Sequence, residues 1–193
     1  MLAGEEIHFR GPYEWLGPKE RTLYGSGWVG EPGVYLWTIP TAATTFTPYY
    51  VGETGRSFAE RFAEHTRAYL GGEYTVWEPE DFLQKNKVEV WGGLWKPERR
   101  GLFGEYLENL ERLNMRTLDL LKAYRIFIAP MRGSERMRER VEAAIIRAVK
   151  LADQHPLLDE NLRFRPRLPS EAPVTYEMHW PASVEGVPTR CQV

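Results

Sequence analysis

Cysteine is nearly missing from this chain: Cys191 is the only one among 193 residues. An intrachain disulfide and a thiolate metal cluster are therefore excluded, and the scarcity fits a reducing compartment, so a cytoplasmic protein is expected. No apolar run approaches the ~20 residues of a membrane span. The start, Met1-Leu2-Ala3-Gly4-Glu5-Glu6, lacks a basic region followed by an apolar stretch, so neither a membrane partner nor a secretory signal is expected. The string G-x-x-x-x-G-K-[ST] is absent, which sets aside a P-loop ATPase. His8, His155 and His179 each lack a second histidine or cysteine at helical spacing, which sets aside a zinc site. An excess of positive charge is also lacking: 25 Lys+Arg against 27 Asp+Glu give a net charge of −2. Nucleic-acid binders usually present a positive field, because releasing phosphate counterions supplies much of their affinity. A near-neutral total can still hide a basic face. Arg132, Arg136, Arg138, Arg140, Arg147, Arg163, Arg165 and Arg167 are the candidates; arginines solvated on a helix surface are the alternative.

What is present reads as globular, with 42% hydrophobic and 13% aromatic residues in a length suited to one well-buried core. Residues 1–32 are rich in Gly, Pro and Trp and read as an arm with little regular structure, save a short strand near Ile7-His8-Phe9. Val34 to Ile39 is β-branched and aromatic, a strand ended by Pro40, and Thr44 to Gly52 returns as its hairpin partner. Ser57 and Glu60 form a capping box, after which Phe58, Phe62 and Tyr69 recur at helical spacing until Gly71-Gly72. Residues 73–100, with Trp77, Trp91 and Trp95, read as an insertion holding a strand or hairpin of its own. One long helix is expected from Leu102 to Lys122, with Phe103, Tyr106, Leu107, Leu110, Leu113 and Leu121 on its core side. Tyr124 to Ala129 is a third strand. Ser134 caps a last helix with Met137, Val141, Ala144, Ile145 and Ala148 inward, and residues 162–193 form an extended tail.

Two strings stand out, Gly33-Val34-Tyr35 and Tyr50-Val51-Gly52, each with a phenol near a glycine in a β-prone run. The second leads through Glu53-Thr54-Gly55-Arg56-Ser57 into the helix that carries Arg61 and His65, four residues apart and so on one face. Two phenols, a guanidinium and an imidazole, with no cysteine or serine nucleophile, suit work on a phosphodiester. Glu142 lies on the shoulder of the apolar face of its helix, near Val141, Ile145 and Ile146, where a carboxylate needs a cation as partner. That partner is either a metal ion or an arginine such as Arg138. Arg61 either forks onto phosphate or pairs with Glu60 or Glu64, and the tyrosines either do chemistry or pack in the sheet.

The strings in this order resemble the GIY-YIG nuclease superfamily over roughly residues 33–161. The resemblance implies an α/β (α+β) fold: a small three-stranded, mainly antiparallel sheet flanked by helices, here with the arm, the insertion and the tail added. It also implies an endonuclease that hydrolyses DNA phosphodiesters with one Mg²⁺ or Mn²⁺ ion held by Glu142. Tyr35 would take a proton from the attacking water, with Arg61 and the ion lowering its affinity for its own proton. His65 would be an alternative base or a relay, and Tyr50 would orient water or phosphate. Gly52 allows close approach at the strand end, Arg56 could contact a flanking phosphate at a helix N-terminus, and Asn161 would match an asparagine of the family pattern. The decorations resemble the restriction-type branch, and cleavage of both strands favours a homodimer. The alternative reading is a non-catalytic nucleic-acid-binding module with the same fold.

Overall fold

The computed structural model describes residues 5–152, 157–159 and 164–193. Strands β1 (Glu5–His8) and β2 (Arg10–Glu14) precede the hairpin of β3 (Gly33–Ala42) and β4 (Thr45–Thr54), which leads into helix α1 (Phe58–Leu70). The insertion holds β5 (Val76–Trp77), α2 (Pro79–Leu83) and β6 (Glu89–Trp91). Helices α3 (Phe103–Glu108) and α4 (Leu110–Ala123), strand β7 (Arg125–Pro130) and helix α5 (Glu135–Leu151) follow. The tail adds β8 (Thr175–His179), β9 (Ser183–Val184) and β10 (Arg190–Gln192).

The mixed α/β class expected from the sequence is present, but the sheet is larger than three strands. Its order is β2-β7-β3-β4-β9, and it curls into a half-barrel. The three expected strands form its centre, antiparallel throughout, with Tyr35 opposite Gly52 on one side and Ile128 on the other. Strand β2 from the arm and β9 from the tail close the edges. Arm and tail also meet in a second sheet, β1-β8-β10, in which β1 runs parallel to β8. These strands are short and are paired across most of the chain, so no local run announces them; β2 further holds a bulge between Arg10 and Tyr13.

Both faces of the central sheet are covered, which explains why β3 reads as an unbroken apolar run instead of alternating with polar residues. Tyr35, Trp37 and Ile39 face Phe58 and Phe62 of α1 in one core. Val34 and Leu36 face Val141, Ile145 and Ile146 of α5 in the other, where Ile7, Tyr176, Met178 and Val193 from arm and tail also pack. The arm and tail are thus layers of the core and not loose appendages. The insertion forms the small β5-β6 hairpin, as expected.

The single helix expected over 102–122 is instead broken at Asn109, whose φ of −104° and ψ of 10° leave the helical range. Of the expected core side, Tyr106, Leu113 and Leu121 are buried, whereas Phe103, Leu107 and Leu110 are exposed. In α5 Val141 and Ile145 are buried as expected, Met137, Ala144 and Ala148 only partly so, and Arg138, Arg140, Ala143, Ile146 and Val149 join the buried set. Among the described residues no helix is long and apolar enough to cross a membrane.

Candidate active site

The capping box at the start of α1 forms as its sequence suggests. Ser57 Oγ accepts from the Glu60 backbone N–H at 3.2 Å, and Glu60 Oε2 accepts from the Ser57 N–H at 3.1 Å. With that turn fixed and Phe58 and Phe62 seated on the sheet, Arg61 and His65 project toward Tyr35. Arg61 Nε–H donates to Tyr35 Oη at 3.1 Å, and Tyr35 Oη lies 2.9 Å from His65 Nε2. The other ring nitrogen, Nδ1, lies 3.0 Å from the hydroxyl of Tyr74. Arg61 can only donate, so the arrangement that uses every group has Tyr35 donating to Nε2 and Nδ1–H donating to Tyr74. The result is a chain of four side chains running from the sheet to the insertion.

Burial sets the protonation of this chain. The His65 ring is almost wholly buried, and its pKa drops to about 3, first because burial disfavours the imidazolium and second because Arg61 is nearby. Burial likewise pushes Tyr35 well above its ordinary value of 10.0, with Tyr50 adding to the rise and Arg61 only partly offsetting it. Tyr50 rises to about 12, again mainly through burial. Of the two cations expected to lower Tyr35, Arg61 acts in that direction, but by itself it is outweighed by desolvation of the phenol. Near neutral pH the site holds two intact phenols and a neutral imidazole.

Gly52 is required by this packing. A Cβ there would lie 2.5 Å from Tyr35 Oη and 2.8 Å from Tyr50 Cε1. The close approach expected at Gly52 is thus an approach of the two phenols, which stack with ring centroids 6.1 Å apart.

Glu142 comes from α5, on the opposite side of the sheet from α1. It reaches the edge of β4 near Glu53, beyond the short stretch covered by β9, and accepts a hydrogen bond from the Glu53 backbone. Burial, then the charges of Glu53 and Glu139, raise its pKa from 4.5 to about 8; the Glu53 N–H and Arg61 oppose that rise. Its charge acts in turn on Tyr35 and Tyr50, which places it with the chain described above. Arg138 is not its partner. That arginine is buried, donates through Nε to Glu53 Oε2 at 3.1 Å and through Nη1 to the Gly133 carbonyl at 3.0 Å. Among the described residues Glu142 forms no ion pair with a lysine or arginine. A half-buried carboxyl with a raised pKa, beside a second carboxylate, fits a hard divalent cation held through oxygen.

Arg56 is already engaged, its guanidinium forked onto Glu64, which also accepts from Arg61 Nη1 at 3.3 Å. Asn161 and Arg163 lie outside the described residues. The proposed basic face is largely neutralised from within. Arg132 pairs with Glu31, Arg136 with Glu171, and Arg165 with Glu139. Arg140 donates to the Ala172 and Val193 carbonyls, and Arg167 to those of Leu168 and Glu171. Arg147 is exposed. Sequence reasoning missed Tyr74, which stands in the insertion, and the position of Glu53; the latter directly follows Gly52, a proximity that could have flagged it. Beside the site, Tyr50, Tyr74, Trp37, Trp77 and Trp95 line an aromatic cleft of about 340 Å³.

No family model, no curated protein and no solved structure matches this chain.

Proposed function

We propose that this chain is a GIY-YIG-type endonuclease that hydrolyses DNA phosphodiester bonds with the help of one Mg²⁺ or Mn²⁺ ion, in the manner of the restriction-type branch. The observation that supports this most is the meeting of Tyr35, Arg61 and His65, with the Glu142 carboxyl close enough to act on both phenols. Glu142, with Glu53 beside it, would hold the ion, which when bound supplies charge compensation for the phosphoryl and leaving oxygens.

The protein's own groups divide the remaining work. Arg61 donates through Nε to Tyr35, which leaves its outer nitrogens to reach a phosphate oxygen in competition with the long contact to Glu64. Tyr35 is too weak an acid to wait as a phenolate, so it acts as a relay. It takes the proton of the attacking water while passing its own to His65 Nε2. A phosphate anion entering the site raises the proton affinity of His65, and Tyr74 at Nδ1 holds the ring in the receiving tautomer. Tyr50 orients the water or the phosphate. Double-strand cleavage fits a homodimer, and the single cysteine fits a cytoplasmic enzyme. The ion-paired arginines favour catalysis at a local centre over a purely phosphate-binding module.

Incubation of labelled duplex DNA with Mg²⁺ or Mn²⁺ tests the reading. Wild-type protein cleaves, and Tyr35→Phe slows cleavage on the order of a hundredfold. Equal rates for the two proteins, or intact DNA throughout, would contradict it.

A further inference from the structure

Parallel pairing of β1 with β8 sets Glu6 beside Glu177 and His8 beside His179, residues far apart along the chain. In-register neighbours of a parallel ladder point to the same face, and Glu6 and His8, two apart, share it too. The two imidazoles stack with ring centroids 4.6 Å apart and planes 13° from parallel. Glu6 Oε2 lies 3.0 Å from His8 Nε2 and 3.9 Å from His179 Nε2. One ligand atom from each of the three residues falls within 4.8 Å of the others.

We propose that Glu6, His8 and His179 form a binding site for a borderline divalent transition ion of the Zn²⁺, Co²⁺ or Ni²⁺ class, separate from Glu142. The donor set argues for that class. Two imidazole nitrogens and one carboxylate oxygen suit zinc-like ions, whereas Mg²⁺ and Ca²⁺ prefer oxygen alone. Ligands about 2.0–2.2 Å from zinc sit roughly 3.3 Å from one another. The present separations reach that spacing through small side-chain rotations, with no movement of the paired backbone. The side chains are 59%, 55% and 51% exposed for Glu6, His8 and His179, so an ion enters directly and water completes its shell. Glu177, the remaining acidic neighbour on this face, is turned toward Arg190 at 3.2 Å. Strand register, which helical spacing does not reveal, brings the three side chains together.

A bound ion would staple the first described strand to the tail. Because Ile7, Tyr176 and Met178 lie on the buried side of the same two strands, the staple would act on the stability of the core. Binding to the folded form alone raises the melting temperature, by roughly 5 °C at a hundredfold excess over the dissociation constant.

The test is a titration of chelator-treated full-length protein with Co²⁺ and Zn²⁺, followed by visible absorption and calorimetry. The expected result is one ion per chain in Glu142→Gln, where the other proposed ligand is removed, with affinity lowered roughly tenfold or more when His8→Ala or His179→Ala is added to it. These residues are exposed, so both variants retain the fold, which circular dichroism checks. Absence of stoichiometric binding, binding unchanged in the histidine variants, or half an ion per chain with dimer formation would each overturn the proposal.

Discussion

Tyr35 Oη lies 2.9 Å from His65 Nε2, and both rings are closed off from solvent. A histidine kept neutral by its surroundings ties stability to pH. The unfolded chain binds a proton near the ordinary value of 6.5, whereas the folded chain resists until about 3. Between those values the unfolded state holds more protons, so this contribution is present above 6.5 and is lost as pH falls. His65→Gln removes the effect. The stability difference between wild type and His65→Gln should shrink by roughly 2 kcal/mol between about pH 7.5 and about pH 4.5. Urea unfolding at each pH measures it, and a constant difference would contradict a buried neutral ring.

Glu142 acts with the opposite sign. Its folded pKa of about 8 stands above the ordinary 4.5, so the folded state holds the extra proton in that window. Stability from this group is full below 4.5 and is lost as pH rises through 8. Glu142→Gln should therefore gain on wild type by roughly 2 kcal/mol between about pH 5 and about pH 8. Saturating Mg²⁺ or Mn²⁺ should stabilise wild type at pH 8 and leave the variant unmoved, as read by thermal unfolding. Equal metal response in both proteins would remove Glu142 as the ligand.

Gly52→Ala places a methyl 2.5 Å from Tyr35 Oη and 2.6 Å from its Cζ. Neither the ladder backbone nor the buried phenol has room to retreat. The expected cost is about 2 kcal/mol of stability together with a fall in cleavage on the order of a hundredfold, as the relay is displaced. Calorimetry and a nicking assay on the same preparation check both; full activity in a stable Gly52→Ala protein would contradict the packing.

Arg61→Lys keeps the charge but loses the planar fork, whose Nε donates to Tyr35 and whose outer nitrogens are proposed to meet phosphate. Turnover should fall about a hundredfold with the melting temperature nearly unchanged. Single-turnover kinetics separate this from a binding defect, and near-wild-type turnover would show that a point charge suffices.

The centre of the fold was legible because its signals are local. Val34 to Ile39 and Tyr124 to Ala129 are runs that suit strands, and the Ser57–Glu60 box sets the start of α1 and with it the direction of Arg61 and His65. The edges of the sheet were not legible. Strands β1, β2, β8, β9 and β10 have two to five residues each, and their pairing is decided by contacts across the whole chain. The break at Asn109 was hidden by leucines that keep helical spacing on both sides of it. The same reasoning applies to the site. Spacing and motif order brought Tyr35, Arg61 and His65 together on paper, whereas Tyr74 enters through the insertion and Glu53 through the bare edge of β4. The complete burial of Tyr35 was not legible in its strand, and that burial raises the phenol against the pull of Arg61.

The central claim is best tested by plasmid nicking at about pH 8 as Mg²⁺ is raised, in wild type beside Glu142→Gln. The account predicts a wild-type rate that climbs to saturation with the ion and a Glu142→Gln rate lower on the order of a thousandfold at every concentration. Nicking by both proteins at one rate, or by neither at any Mg²⁺ concentration, would contradict it.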